Sequence, residues 1–108
     1  MNTMVNMLRE HVTESTRIHY VITRGGEAPN VVPDFAEGYY YARHKTRYEV
    51  IKVFDRILDA AKGAAIGTGT TMDFEMIGGT HDILHNEILQ KMVHKNLSYV
   101  GGYKYDKE

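Results

Sequence analysis

Arg17-Ile18-His19-Tyr20-Val21-Ile22-Thr23, then a loop through Ala28-Pro29-Asn30, then Phe35-Ala36-Glu37-Gly38-Tyr39-Tyr40-Tyr41-Ala42-Arg43-His44, with Thr46-Arg47-Tyr48-Glu49 opening a long apolar stripe, is the stretch that decides the fold. In the first run Ile18, Tyr20 and Ile22 alternate with Arg17, His19, Val21 and Thr23, the period-two pattern of a half-buried strand. In the second, Ala36, Gly38, Tyr40 and Ala42 alternate with Glu37, Tyr39, Tyr41 and Arg43, which predicts a second strand, central in its sheet. Consecutive tyrosines point to opposite faces, so one of Tyr39, Tyr40 and Tyr41 faces the helices and two face the open side. Between the strands, Gly25 and Gly26 allow positive φ, and Pro29 and Pro33 drive their predecessors toward extended geometry, which makes a shaped loop longer than a hairpin requires.

The helix that follows begins at Thr46, where Thr46 and Glu49 have the spacing of a capping box. Val50, Val53, Phe54, Ile57, Leu58, Ala61 and Ala65 then form one continuous stripe at helical spacing. An amphipathic helix of this length does not stand alone in water and must lie on a sheet. Gly67 and Gly69 end it, and Thr70 to Ile77 alternates Met72, Phe74 and Met76 against Asp73, Glu75 and Ile77, which predicts a third strand.

Outside this region, Met4, Val5, Leu8 and Val12 predict a short N-terminal helix with Thr3 as cap, reading as the end of something longer. Gly78 and Gly79 break the third strand, and Ile88, Leu89, Met92 and Leu97 predict a second amphipathic helix capped by Asn86. The residues from Gly101 are polar and loose. The order helix, strand, strand, helix, strand, helix is an α+β fold. It is an incomplete ferredoxin-like split βαβ sandwich, an antiparallel sheet with helices on one face and its first strand missing. In the complete arrangement that strand is central, so its absence leaves two edges open to partners. Residues 1–85 form the domain, and 86–108 a C-terminal helix and tail.

At 108 residues, 43% hydrophobic and 25% charged, the chain has ordinary globular composition for one small domain. Its 13 basic and 14 acidic side chains are interspersed, with a formal net charge of -1, which leaves no footprint for nucleic acid or anionic lipid. The absence of cysteine excludes disulfides and thiolate metal sites and fits a cytoplasmic protein. No apolar run has the length of a membrane span, and no segment reads as a signal peptide.

Catalytic motifs are missing. There is no nucleophile elbow, no phosphate loop and no cysteine nucleophile. His81 and His85 have zinc-ligand spacing, but the helix that would align them is doubtful beside Gly78 and Gly79; they read as surface or turn residues, and no metal is assigned. His11, His19, His44 and His94 are scattered. Asn30, in the proline-fixed loop, and Arg43, at the far end of the next strand, are the candidate substrate-binding residues, because an amide and a guanidinium fork suit recognition of an amide or carboxylate on a small acidic ligand.

The run Leu8-Arg9-Glu10-His11-Val12, Arg17 to Thr23, Gly25-Gly26, Ala28-Pro29-Asn30-Val31-Val32-Pro33-Asp34, Tyr39-Tyr40-Tyr41 and Arg43 resembles the dizinc amidohydrolases of the aminoacylase and carboxypeptidase superfamily, nearest to the aminobenzoyl-glutamate hydrolase branch. Ala64-Ala65 through Thr68-Gly69-Thr70 continues the likeness, and Gly78-Gly79 to Asn86 resembles the return into a catalytic domain. The resemblance implies a lid domain that mediates dimerisation and contributes substrate contacts, with Asn30 and Arg43 matching the lid Asn and Arg. Zinc or manganese is expected of the full-length family. The chain departs from the family in having neither its metal-ligating positions nor the lid's first strand with its histidine. The expectation is therefore a lid and dimerisation piece of an amidohydrolase acting on aminobenzoyl-glutamate or acyl-amino-acid amides, inert by itself, with no cofactor of its own, forming a homodimer or higher homo-oligomer. The alternative is a stand-alone ferredoxin-like module that binds a small carboxylate ligand.

Overall fold

The first helix, α1 (Asn2–Leu8), runs into a 3-10 turn at Arg9–His11. Two strands follow, β1 (Arg17–Arg24) and β2 (Glu37–Arg43), then the long helix α2 (Arg47–Thr68) and the last helix α3 (Glu87–Val100). The computed structural model describes residues 1–106; Lys107 and Glu108 of the C-terminal tail lie outside the described residues. The class is α+β, built on a two-stranded antiparallel sheet.

The strands pair in a register that joins Arg17 to Arg43, Ile18 to Ala42, His19 to Tyr41, Tyr20 to Tyr40 and Val21 to Tyr39, with an irregularity at Thr23 that brings Arg24 opposite Glu37. Directly paired residues share a face, so Ile18, Tyr20, Tyr40 and Ala42 line one side, and Arg17, His19, Val21, Tyr39, Tyr41 and Arg43 line the other. The predicted alternation is therefore the observed one. The inner side is covered by helices: Val5, Leu8, Ile18, Val53, Ile57 and Ala60 form the core, with Val12, Tyr40 and Ala42 packed against it. Tyr40 stacks on Tyr20 at 5.2 Å between ring centres, and both hydroxyls reach α1, Tyr40 donating to the Asn2 side chain and Tyr20 accepting from Asn6. Gly38 keeps this layer flat, since a Cβ there would come within 2.9 Å of the Tyr40 ring.

Four expectations need correction. Thr3 lies inside α1, and the cap position is Met1, with no side-chain cap. Thr46 occupies the cap position of α2, but its side chain makes no cap hydrogen bond and the capping box is not formed: the Thr46 N–H donates to His44 Nδ1 at 3.1 Å, while the Glu49 carboxylate takes the Lys52 ammonium at 2.9 Å. His44, two residues upstream, outcompetes Glu49 for the amide. Strand β2 is not central, because the sheet has only two strands among the described residues.

The third strand is the largest difference. Thr70 to Asn86 has no regular structure. Helix α2 ends at Gly69, φ 67°, with the Thr70 N–H turned back to the Ala65 carbonyl at 3.0 Å, a left-handed closure that glycine adopts without strain. Beyond it, Phe74 rests edge-on against Phe54 of α2 at 6.1 Å. Thr70–Ile77 has the alternation of a strand, but a strand forms only beside another, and among the described residues none lies beside it. Met76 and Ile77 remain exposed.

Asn86 caps α3 as expected, accepting from the Leu89 N–H at 2.9 Å. No residue of α3 is buried. The radius of gyration is 21.3 Å, against about 13 Å for a compact domain of this length, so the core occupies only the α1, ribbon and α2 portion. No helix of the described residues is long and apolar enough to cross a membrane.

Ile57, 3% exposed, sits at the centre of that core. Ile57→Ala is expected to destabilise the fold by about 2 to 5 kcal/mol, read as a lowered urea midpoint; the same change at exposed Ile66 is expected to leave the midpoint within experimental error.

Candidate functional site

The side of the sheet away from the helices carries the polar and aromatic residues. Along β2, the period-two geometry sets Glu37, Tyr39, Tyr41 and Arg43 in one row, about 7 Å apart at each step. Along β1, Val21 and His19 stand opposite Tyr39 and Tyr41, and Arg17 stands opposite Arg43.

Each member of the row is held by a neighbour. Arg43 contacts His19 through Nη2 and Nε2 at 3.0 Å; with the imidazole neutral and the guanidinium donating, the remaining N–H groups of the fork stay available. Tyr39 donates its hydroxyl to Tyr41 at 3.1 Å, and the two rings lie 5.2 Å apart. That hydrogen bond, with partial desolvation behind it, raises the Tyr39 phenol above its ordinary value, because ionising it would remove the donated proton. The Glu37 carboxylate accepts from the Thr23 hydroxyl at 2.5 Å. Arg17 folds back instead, donating to the carbonyls of Glu14 at 2.5 Å and Thr16 at 2.7 Å. A cavity of about 260 Å³ opens at this end of the ribbon, lined by Arg9, Thr13, Thr16, Arg17 and His19 among others.

The two residues predicted to bind substrate lie on different elements. Arg43 ends β2, whereas Asn30 lies in the loop at the opposite end of the ribbon, exposed, in a turn closed by the Val31 N–H on the Ala28 carbonyl at 3.1 Å. His19, read from sequence as one of several scattered histidines, is the residue that orients Arg43. The signal that finds it is strand register, which a single sequence does not supply.

His81 and His85 sit in the irregular segment before α3, with His85 Nδ1 3.3 Å from the Gln90 amide. No group of three His, Cys, Asp or Glu side chains that could hold a metal ion occurs among the described residues. The residues present do not fit the zinc or manganese expected of full-length relatives, and no chemical step is derived through one.

This ribbon with its helix layer and its exposed Arg43 belongs to a chain that is homologous to a segment of the amidohydrolase/peptidase family. In particular, the whole chain aligns over 109 positions at 36% identity with a subunit of the p-aminobenzoyl-glutamate hydrolase of Escherichia coli (strain K12), of which it spans 23%. It is similar also to the Xaa-Arg dipeptidases of Mus musculus, at 33% over 73 residues, 68% of this chain and 17% of that protein, and of Homo sapiens, at 30% over 95 residues, 85% and 21%. The chain thus spans less than a quarter of the length of these relatives. No protein-family model matches it.

With the Tyr39 phenol donating to Tyr41, Tyr41→Phe removes the acceptor and lowers the Tyr39 midpoint toward the ordinary tyrosine value. An ultraviolet pH titration checks this; an unchanged midpoint would show that the two hydroxyls are not bonded.

Proposed function

We propose that this chain is a substrate-contacting, self-associating lid piece of a cytoplasmic amidohydrolase acting on aminobenzoyl-glutamate or acyl-amino-acid amides, with no hydrolytic centre of its own. The observation that carries the reading is Arg43, exposed on the helix-free face and steadied by His19, in a chain homologous along its whole length to part of a p-aminobenzoyl-glutamate hydrolase. A guanidinium fork whose direction is already fixed loses little entropy on gripping a carboxylate. Asn30, exposed in the loop between the strands, is the second substrate contact of this reading.

Self-association is supported by the sheet itself. A two-stranded ribbon exposes the backbone groups of both outer edges, which is the geometry that recruits further strands. The second reading, a stand-alone module that binds a carboxylate ligand, draws on the same Arg43 and the cavity beside Arg17, and differs in requiring no partner.

Calorimetry with N-acetyl-glutamate tests the carboxylate contact. Loss of the charge-assisted bonds in Arg43→Gln is expected to weaken binding roughly tenfold or more, and the ligand is expected to be recovered intact after zinc is added. Equal binding by Arg43→Gln would remove Arg43 from the site. Light scattering across a concentration series tests association: a dimer or larger species is expected, whereas a strictly monomeric mass at high concentration would leave only the stand-alone reading.

A further inference from the structure

At the start of β1 a second group of donors converges, apart from the open face of the ribbon. The cavity there, about 260 Å³, is smaller than the roughly 300 to 1,000 Å³ of pockets for drug-sized ligands and suits a small ion. Its walls are fixed by their own hydrogen bonds. The Thr16 N–H closes a turn on the Thr13 carbonyl at 2.8 Å, Arg17 Nη1 donates to the carbonyls of Glu14 and Thr16, and Arg56 of α2 donates to the His11 carbonyl at 2.8 Å. The cavity is therefore preformed, with Thr16, 7% exposed, buried in its wall.

The polar groups that line it are mostly donors. Arg9 lies over the Tyr20 ring at 5.8 Å, on the side of the ribbon that the helices cover, whereas Arg17 belongs to the opposite face, so two guanidinium groups reach the cavity from the two sides of the sheet. Among the described residues the Arg9 fork makes no hydrogen bond, and Arg17 leaves Nε and Nη2 uncommitted. Neither is ion-paired there; the ion pairs lie on α2 and α3. The Thr13 and Thr16 hydroxyls are 3.0 Å apart, so one donates to the other and the second keeps its own O–H. Against two arginines and His19 the lining sets one carboxylate, that of Glu14. Arg17 also stands opposite Arg43 in the register, and like charges directly opposite destabilise a sheet unless an anion lies near them.

We propose that this cavity is a binding site for a small tetrahedral oxyanion of the phosphate type, held between the Arg9 and Arg17 guanidinium groups with the free threonine hydroxyl as a third donor. The shape of the anion follows from the number and direction of the donors. A planar carboxylate has two oxygens and is satisfied by one fork. Two forks arriving from opposite faces, with a hydroxyl between them, match oxygens that point to the corners of a tetrahedron. The site is separate from the Arg43 contact proposed above and does not rest on it; His19 borders both. Basic residues are interspersed along the sequence, and only the fold brings Arg9 and Arg17 to one cavity.

The test is a titration of the full 108-residue chain with inorganic phosphate, followed by NMR of the phosphorus and of the backbone amides at constant ionic strength, with acetate and chloride as comparison anions. Saturable phosphate binding is expected, with amide shifts centred on Thr13 to Arg17 and acetate several-fold weaker. Arg9→Gln is the cleanest variant, because the Arg9 guanidinium makes no hydrogen bond on which the fold relies. Loss of that charge-assisted fork is expected to weaken phosphate roughly tenfold or more, with unchanged far-ultraviolet circular dichroism. Arg9→Lys keeps the charge without the fork and is expected to recover only part of the affinity. Equal, unsaturable shifts with all three anions would show general screening and overturn the site. Acetate binding as tightly as phosphate makes the cavity a carboxylate site, and the inference falls. Phosphate binding that survives Arg9→Gln and is lost in Arg43→Gln places the anion on the open face and overturns the inference equally. Failure of phosphate to bind overturns it too, and leaves the Arg43 carboxylate contact standing.

Discussion

The structure depends on one packing event, the laying of the α2 stripe across the inner face of the ribbon. Val53, Ile57 and Ala60 meet Ile18 on one side and Val5 and Leu8 on the other, and α1, the ribbon and α2 are held together by that contact. It is one-sided. A two-stranded ribbon is marginal in water by itself, and here the helix layer covers one face and leaves the other free for polar and aromatic groups. Burial and display are thus properties of alternate residues on the same strands, which is why the triple tyrosine splits into one ring packed on the core and two turned outward.

That split was legible in the sequence, because strand periodicity assigns faces with no knowledge of partners. The long helix and its stripe, the Gly69 stop and the Asn86 cap were legible for the same reason: each is fixed by residues within one or two turns. What failed was non-local or competitive. The capping box at Thr46 has the right residues, but His44 reaches the same amide first. The third strand has the right alternation, but a strand exists only when another lies beside it, and none does among the described residues.

The site divides along the same line. Arg43 was found because a guanidinium on an exposed strand position is informative by itself. Its partner His19 is twenty-four residues away in sequence and becomes its neighbour only through register. Asn30 and Arg43 were joined in sequence reasoning by the chemistry they share, one in the loop and the other at the end of β2. The homology to amidohydrolases runs along the whole chain and needed no geometry at all.

The segment after Gly69 has one further consequence. It is tied at Thr70 by the helix-ending turn and at Phe74 by the edge-on contact with Phe54, so its chain entropy is already partly spent. Closing so short a loop costs little more, and the local concentration of this extended stretch beside the helix layer is set by the tether and not by diffusion.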